Sequence, residues 1–175
     1  PVFGFRVSAG PSRPGCCCRR AELHETVPMI RVAQVMECTI GGTRRHIREL
    51  CSGLPDRGFD VTLFASAERD PSFRDDLADI ARHGVEIVEI PMVREVSPGR
   101  DALHQLRLRR EFRARGFDVI HTHSSKAGAL GRVGAMLARS RAALVHTPHT
   151  FAFTFTEQFS PWKRRLFLAI ERRLG

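Results

Sequence analysis

From Ile30 onward the chain alternates short apolar, often β-branched runs with helical stripes, and that alternation limits its fold more than any other feature. Ile30-Arg-Val-Ala-Gln-Val35 predicts a first strand. The helix after it carries Ile47, Leu50, Cys51 and Leu54 at the i, i+3, i+4, i+7 positions of a surface helix. Asp60–Ala65 predicts a second strand, Phe73, Leu77, Ile80 and Ala81 a second helix, and Val85–Ile90 a third strand. Asp101 is a candidate N-cap for a helix reaching Arg115, and Val119–Thr122 predicts a fourth strand. A small-residue helix Ala127–Arg139, a strand Ala143–Thr147 and a last helix from Pro161 to Leu174 complete the pattern. Strands separated by helices of about 10–15 residues imply right-handed βαβ crossovers. The expected fold class is therefore α/β: a Rossmann-like, mostly parallel sheet with helices on both faces.

With 175 residues the chain is long enough for one domain that buries roughly 70% of its unfolded surface. Its net charge of +9 is carried almost wholly by arginine, since Lys126 and Lys163 are the only lysines. Such a balance points to anionic partners, either phosphorylated ligands or a membrane surface, and is equally what a GC-rich genome produces. No basic run with interleaved aromatics occurs, so nucleic acid is not an expected partner. No apolar segment approaches the roughly 18 residues that span a bilayer, and Pro1–Ile30 holds no apolar core of a signal peptide. Cys16, Cys17 and Cys18 are consecutive, which suits neither zinc spacing nor disulfide geometry, while Cys38 and Cys51 read as reduced, cytosolic thiols. Residues 1–28 lack periodicity and are expected to be a disordered leader or a misplaced start, with Met29 the true initiator. The expected domain is 29–175, and the helix that runs into Gly175 suggests a piece of something longer.

Three strand-to-helix junctions can carry chemistry. In an open α/β sheet, ligands bind beyond the carboxyl ends of the strands, where helix amino-termini offer N–H groups. Gly41-Gly42 lies at the first such junction, without the spacing of a dinucleotide fingerprint or a P-loop, and reads equally as a plain turn. The second, His121-Thr-His-Ser-Ser-Lys-Ala-Gly128, puts two histidines at i and i+2 on one side of a strand end. One is expected under the sheet edge and one toward the cleft. No carboxylate follows to complete a hydrolytic metal site, so no metal is expected. Gly128, Gly131 and Gly134 recur every third residue, each costing about 1 kcal/mol relative to alanine, so close packing or ligand approach should compensate. The third junction is His146-Thr-Pro-His-Thr-Phe151, where His149 in the turn should be more exposed than His146. His24, His46, His83 and His104 read as ordinary surface or helix residues.

The order x-Gly-Gly-helix, then His-Thr-His-Ser-Ser-Lys-Ala-Gly with its downstream Gly-x-x-Gly-Arg, then His-Thr-Pro-His-Thr-Phe resembles the amino-terminal domain of family 4 glycosyltransferases over residues 29–175. The resemblance implies the amino-terminal, acceptor-side half of a GT-B fold and retaining sugar transfer from a nucleotide diphosphate sugar, as in enzymes of bacterial surface polysaccharides. It implies that Gly41 and Gly42 approach the donor diphosphate or sugar. It makes His123 the catalytic candidate that positions the transferred sugar, better matched than His121. Ser124, Ser125 and Lys126 would line the same cleft, Lys126 as a phosphate or acceptor contact, and His149 is a weaker carry-over. It further implies no cofactor beyond the sugar donor, a glycan or lipid-linked acceptor, and a nucleotide-binding second domain outside this sequence, without which transfer is not expected.

The last helix has an apolar face of Trp162, Leu166, Phe167, Ile170 and Leu174 beside Lys163, Arg164, Arg165, Arg172 and Arg173. That pattern suits peripheral contact with the anionic inner face of a plasma membrane, in a cytoplasmic protein, and equally suits packing on the sheet or a second domain. Two rival functions stay open. A metal-dependent hydrolase would use His121, His123, His146 and His149 as ligands; the second is a non-catalytic Rossmann-like binding module.

Overall fold

The computed structural model describes residues 29–154, 157 and 159–174, so the expectation for residues 1–28, with Cys16, Cys17, Cys18 and His24, lies outside the described residues. The chain runs β1 (Ile30–Met36), α1 (Gly41–Gly53), β2 (Phe59–Ala65), α2 (Phe73–Arg82), β3 (Glu86–Glu89), α3 (Pro98–Arg115), β4 (Val119–His123), α4 (Ser125–Ala138), β5 (Ala143–Thr147) and α5 (Pro161–Leu174). All five strands pair in parallel in the order β3-β2-β1-β4-β5. The Rossmann-like fold expected from the sequence is the one observed. One boundary differs in a way that matters. α3 begins at Pro98, whose preset φ suits a first helical position, and Ser97 is its N-cap. Asp101 sits one turn inside, where its carboxylate accepts the Ser97 N–H at 2.9 Å.

The two faces of the sheet carry separate cores, because successive side chains of a strand point to opposite sides. On one face Val32, Met36, Val61, Leu63 and Ala65 pack against Ile47 and Cys51 of α1 and Phe73, Leu77 and Ile80 of α2. On the other, Ala33, Val35, Phe64 and Ile120 meet Leu108 and Phe112 of α3 and Ala127, Ala135 and Ala138 of α4. Phe64, Phe112 and Phe117 meet edge to face at 5.7–6.1 Å on that second face. Arg44 ties the first turns of α1 to α2 through Asp70, Asp76 and Ser72.

The pairing of β1 with β4 is where the order reverses: β2 and β3 lie to one side and β5 to the other. Crevices at such reversals are the ligand sites of doubly wound sheets. Here the ends of β1 and β4 bring the heads of α1 and α4 side by side.

α4 reaches this position because its glycines let it lie against the sheet. A Cβ on Gly131 would stand 2.5 Å from Cγ2 of buried Thr122, and one on Gly128 would stand 2.3 Å from Cε1 of His146. Gly134 faces α3 instead, near Gln105 and Phe112. Close packing therefore offsets the helix cost of these residues. Gly131→Ala should destabilise the domain by about 1–3 kcal/mol in urea unfolding, despite the higher helix propensity of alanine. An unchanged or raised midpoint would show that α4 has room to spare.

Candidate active site at the strand reversal

The two helix heads at the crevice share an unusual chemistry. Neither N-cap, Ile40 for α1 or Ser124 for α4, caps with its side chain, and neither first turn contains an acidic residue. The positive ends of both dipoles therefore open on the crevice with no acidic side chain in either first turn, a setting that favours an external anion. Gly41 has φ +58°, which glycine adopts without strain, and nothing lies within 4 Å of where a Cβ on Gly41 or Gly42 would sit.

β4 points His121 and His123 to the α1 face of the sheet, on the side expected from their spacing. Their rings lie 4.1 Å apart between centroids. His123 is fully buried, and its Nε2 donates to Oε1 of buried Gln34 on β1 at 2.8 Å. The other nitrogen, Nδ1, meets Nε2 of His149 at 3.2 Å. His121 is partly buried and its Nε2 bonds Oγ1 of Thr147 at 2.9 Å. His46 of α1 joins the group, 5.6 Å from His123 and 5.1 Å from His149 between ring centroids. The histidine that faces the cleft is thus neither member of the His121/His123 pair. His46 and His149 are the exposed ones, and His149 is more exposed than His146 as its turn position predicted.

Burial, followed by the neighbouring histidines, sets the charge state of this group. The His123 imidazole is pushed down to about 2 and that of His121 to about 4, while His149 is lowered by burial and then by His46. At neutral pH the His121 and His123 rings are uncharged, available to donate and accept hydrogen bonds.

A second buried pair lies at the head of α4. Ser124 holds φ +66°, strained for a side-chain-bearing residue, and its Oγ donates to the carboxylate of Glu37. Glu37 is 5% exposed, and burial raises its pKa against the pull of Ser124, Arg69, Lys126 and Arg94. Lys126 pairs with Asp101 at 2.7 Å and donates to the Glu95 carbonyl, so its ammonium is turned toward α3. Ser125 opens the first turn of α4.

The four-histidine metal set of the hydrolase reading does not assemble. His146 neighbours Thr122 in the sheet and points to the α4 face, bonding Thr122 at 3.0 Å, opposite His121, His123 and His149. His46, set aside as a surface residue in the sequence, takes its place near His123 and His149. Gln34 and Glu37 also escaped the sequence reading. Their signal was present: two polar residues in and just after an otherwise apolar strand.

The profile of Glycosyltransferase Family 4 matches residues 40–175. Over 138 residues the chain is 33% identical to the UDP-Gal:alpha-D-GlcNAc-diphosphoundecaprenol alpha-1,3-galactosyltransferase of Escherichia coli, covering 78% of this chain. The chain spans 33% of that relative's own length. Among solved structures, a UDP-N-acetylglucosamine 2-epimerase superposes with a TM-score of 0.56 at 14% identity, covering 85% of this chain and 40% of that one. MurG of Acinetobacter baumannii gives 0.51 at 13% identity over 68% of this chain and 35% of its own. These two likenesses bear on the fold, which is the Rossmann-like half of a GT-B architecture.

The buried histidines make the fold sensitive to acid. In the unfolded chain a histidine protonates near pH 6.5, whereas folded His121 and His123 stay neutral well below that. The unfolded state then binds more protons, so stability present above pH 6.5 is lost as pH falls, by roughly 2 kcal/mol per residue at pH 5. Urea midpoints should drop between pH 7 and pH 5, and His121→Gln should flatten the slope. A slope that His121→Gln leaves unchanged would contradict the neutral assignment of His121.

Proposed function

The chain belongs to glycosyltransferase family 4, and on that premise we propose that it is the acceptor-side half of a retaining glycosyltransferase. The donor is a nucleotide diphosphate sugar, the acceptor a lipid-linked glycan, and the setting the assembly of a bacterial surface polysaccharide. The observation that carries this reading is the pair of helix heads with no side-chain cap and no acidic residue in the first turn, beside a neutral histidine cluster at the strand reversal.

The diphosphate lies against the amides of Gly41 and Gly42 on one side and Ser125 on the other, where both helix dipoles favour negative charge. The leaving diphosphate is stabilised by these groups and by basic side chains, with no bound metal or other cofactor taking part. Its sugar meets the exposed ring of His149. His123 sets that ring: with Nε2–H held by Gln34, its Nδ1 accepts from His149 and fixes the tautomer His149 offers. His123 thus positions the sugar through His149, and His121 and Thr147 brace it from behind. Ser124 shapes the backbone turn through Glu37, and Lys126 reaches an acceptor phosphate by exchanging Asp101 for it.

The exposed side of α5 supports a place of action at the membrane surface. Among the described residues no helix is long and apolar enough to cross a membrane. Trp162 and Leu166 of α5 are 63% and 48% exposed beside exposed Lys163 and Arg165, while Glu171 on its other side pairs with Arg132 of α4 at 2.7 Å. The exposed side lies on the anionic cytoplasmic face of the membrane, where a lipid-linked acceptor is presented. The chain should sediment with anionic vesicles at low salt and be released at high salt, and Trp162→Ser should weaken the association. Equal partition onto neutral and anionic vesicles would count against this placement.

Gly42→Asp separates anion binding from folding. Space around Gly42 is open and a carboxylate near a helix head is favourable, so the variant should unfold at an equal or higher temperature. In a protein carrying both halves, its kcat/KM for the sugar donor should fall on the order of tenfold or more, because the added charge faces the diphosphate. His149→Ala should lower the same constant on the order of 10²-fold. Full activity in both variants would rule out this site.

A further inference from the structure

Three imidazoles reach the strand reversal from three different elements: His46 from α1, His123 from the end of β4 and His149 from the turn after β5. One ring nitrogen of each lies within 4.8 Å of the other two. The transfer reading uses His149 and His123 and gives His46 no task. We propose that this trio binds a divalent ion of the zinc class, Zn²⁺, Co²⁺ or Ni²⁺, and that the bound ion closes the cleft to the sugar.

The donor set selects the ion. Three imidazole nitrogens with no carboxylate among them suit zinc-class metals and poorly suit Mg²⁺ or Ca²⁺, which take oxygen ligands. Three protein ligands also leave one coordination position for water, the arrangement of an open rather than a purely structural site.

The geometry is partly prepared. Metal-bound histidines usually donate their second N–H to a carbonyl or carboxylate, which fixes ring and tautomer. His123 already does so, giving Nε2–H to Gln34 at 2.8 Å and keeping the Nδ1 lone pair toward the cluster. Its distance of 3.2 Å to Nε2 of His149 is close to the edge of a tetrahedron of about 3.3 Å, as bond lengths near 2.05 Å require. The two rings now meet almost end to end in a hydrogen bond, with an interplanar angle of 28°. An ion would replace that bond by turning His149 and His46 toward a common point. Both are exposed, while His123 is buried. His149 holds φ +58°, a backbone state that few side-chain-bearing residues adopt and that keeps its ring against His123.

The inhibitory consequence rests on the transferase reading, because an ion on His123 and His149 takes the nitrogens that position the sugar. The binding itself does not rest on it. Metal-free full chain titrated with Zn²⁺ by calorimetry, and with Co²⁺ by visible absorption, should take up one ion per chain with the spectrum of a tetrahedral site. His46→Ala and His149→Ala, both at exposed positions, should each weaken binding at least tenfold, and His83→Ala on the exposed end of α2 should leave it unchanged. No uptake, or uptake indifferent to His46→Ala and His149→Ala, would overturn the site whatever the protein's activity. In a protein carrying both halves, Zn²⁺ should suppress transfer and a chelator restore it; transfer unaffected by saturating Zn²⁺ would overturn the consequence alone.

Discussion

The parallel pairing of β1 with β4 is the constraint on which everything else here depends. It joins Val32 to Val119 and Val35 to Thr122, and it is the place where the strand order turns back on itself. Because of it, the carboxyl ends of two strands and the amino-termini of two helices open on one crevice. Gln34 of β1 can reach His123 of β4 only across this pairing. The same adjacency lets Ser124 find Glu37, although the two are 87 residues apart in the chain. Moving either strand elsewhere would scatter the site without disturbing any single helix.

The crevice is built from polar groups that a core would ordinarily exclude. Gln34, Glu37, Thr122, His123 and Ser124 are all buried, and each has a hydrogen-bond partner. A satisfied polar network fixes one arrangement of side chains, whereas a half-satisfied one costs stability. The same network holds Ser124 and His149 at positive φ, while burial keeps His121 and His123 neutral. Rigid neutral donors and acceptors beside two helix dipoles form a wall suited to holding a charged, hydroxyl-rich ligand in one orientation.

Much of this was legible in the sequence, for physical reasons. Strand alternation and helix stripes marked every element, since burial on one face imposes the period that reveals it. β1 ran one residue longer and β3 was shorter than expected, and the Asp101 cap shifted to Ser97 because Pro98 starts α3 first. The glycine and histidine motifs fall at the ends of β1, β4 and β5, as their places in the sequence predicted. Convergence was less legible. His46 lies on an exposed helix position whose neighbours depend on how α1 crosses the sheet, and His146 faces away from His149 because of strand parity and a turn. Lys126 looked like a cleft residue, yet its tie to Asp101 depends on where α3 begins.

The central claim is that the β1–β4 crevice receives the diphosphate and sugar. Amide and imidazole NMR of the isotope-labelled chain titrated with inorganic pyrophosphate, and then with a diphosphate sugar, tests it most directly. The amides of Gly41, Gly42, Ser125 and Lys126 should shift with both ligands, and the His149 ring should respond only to the sugar-bearing one. Saturating shifts confined to another surface, with these amides unmoved, would contradict it.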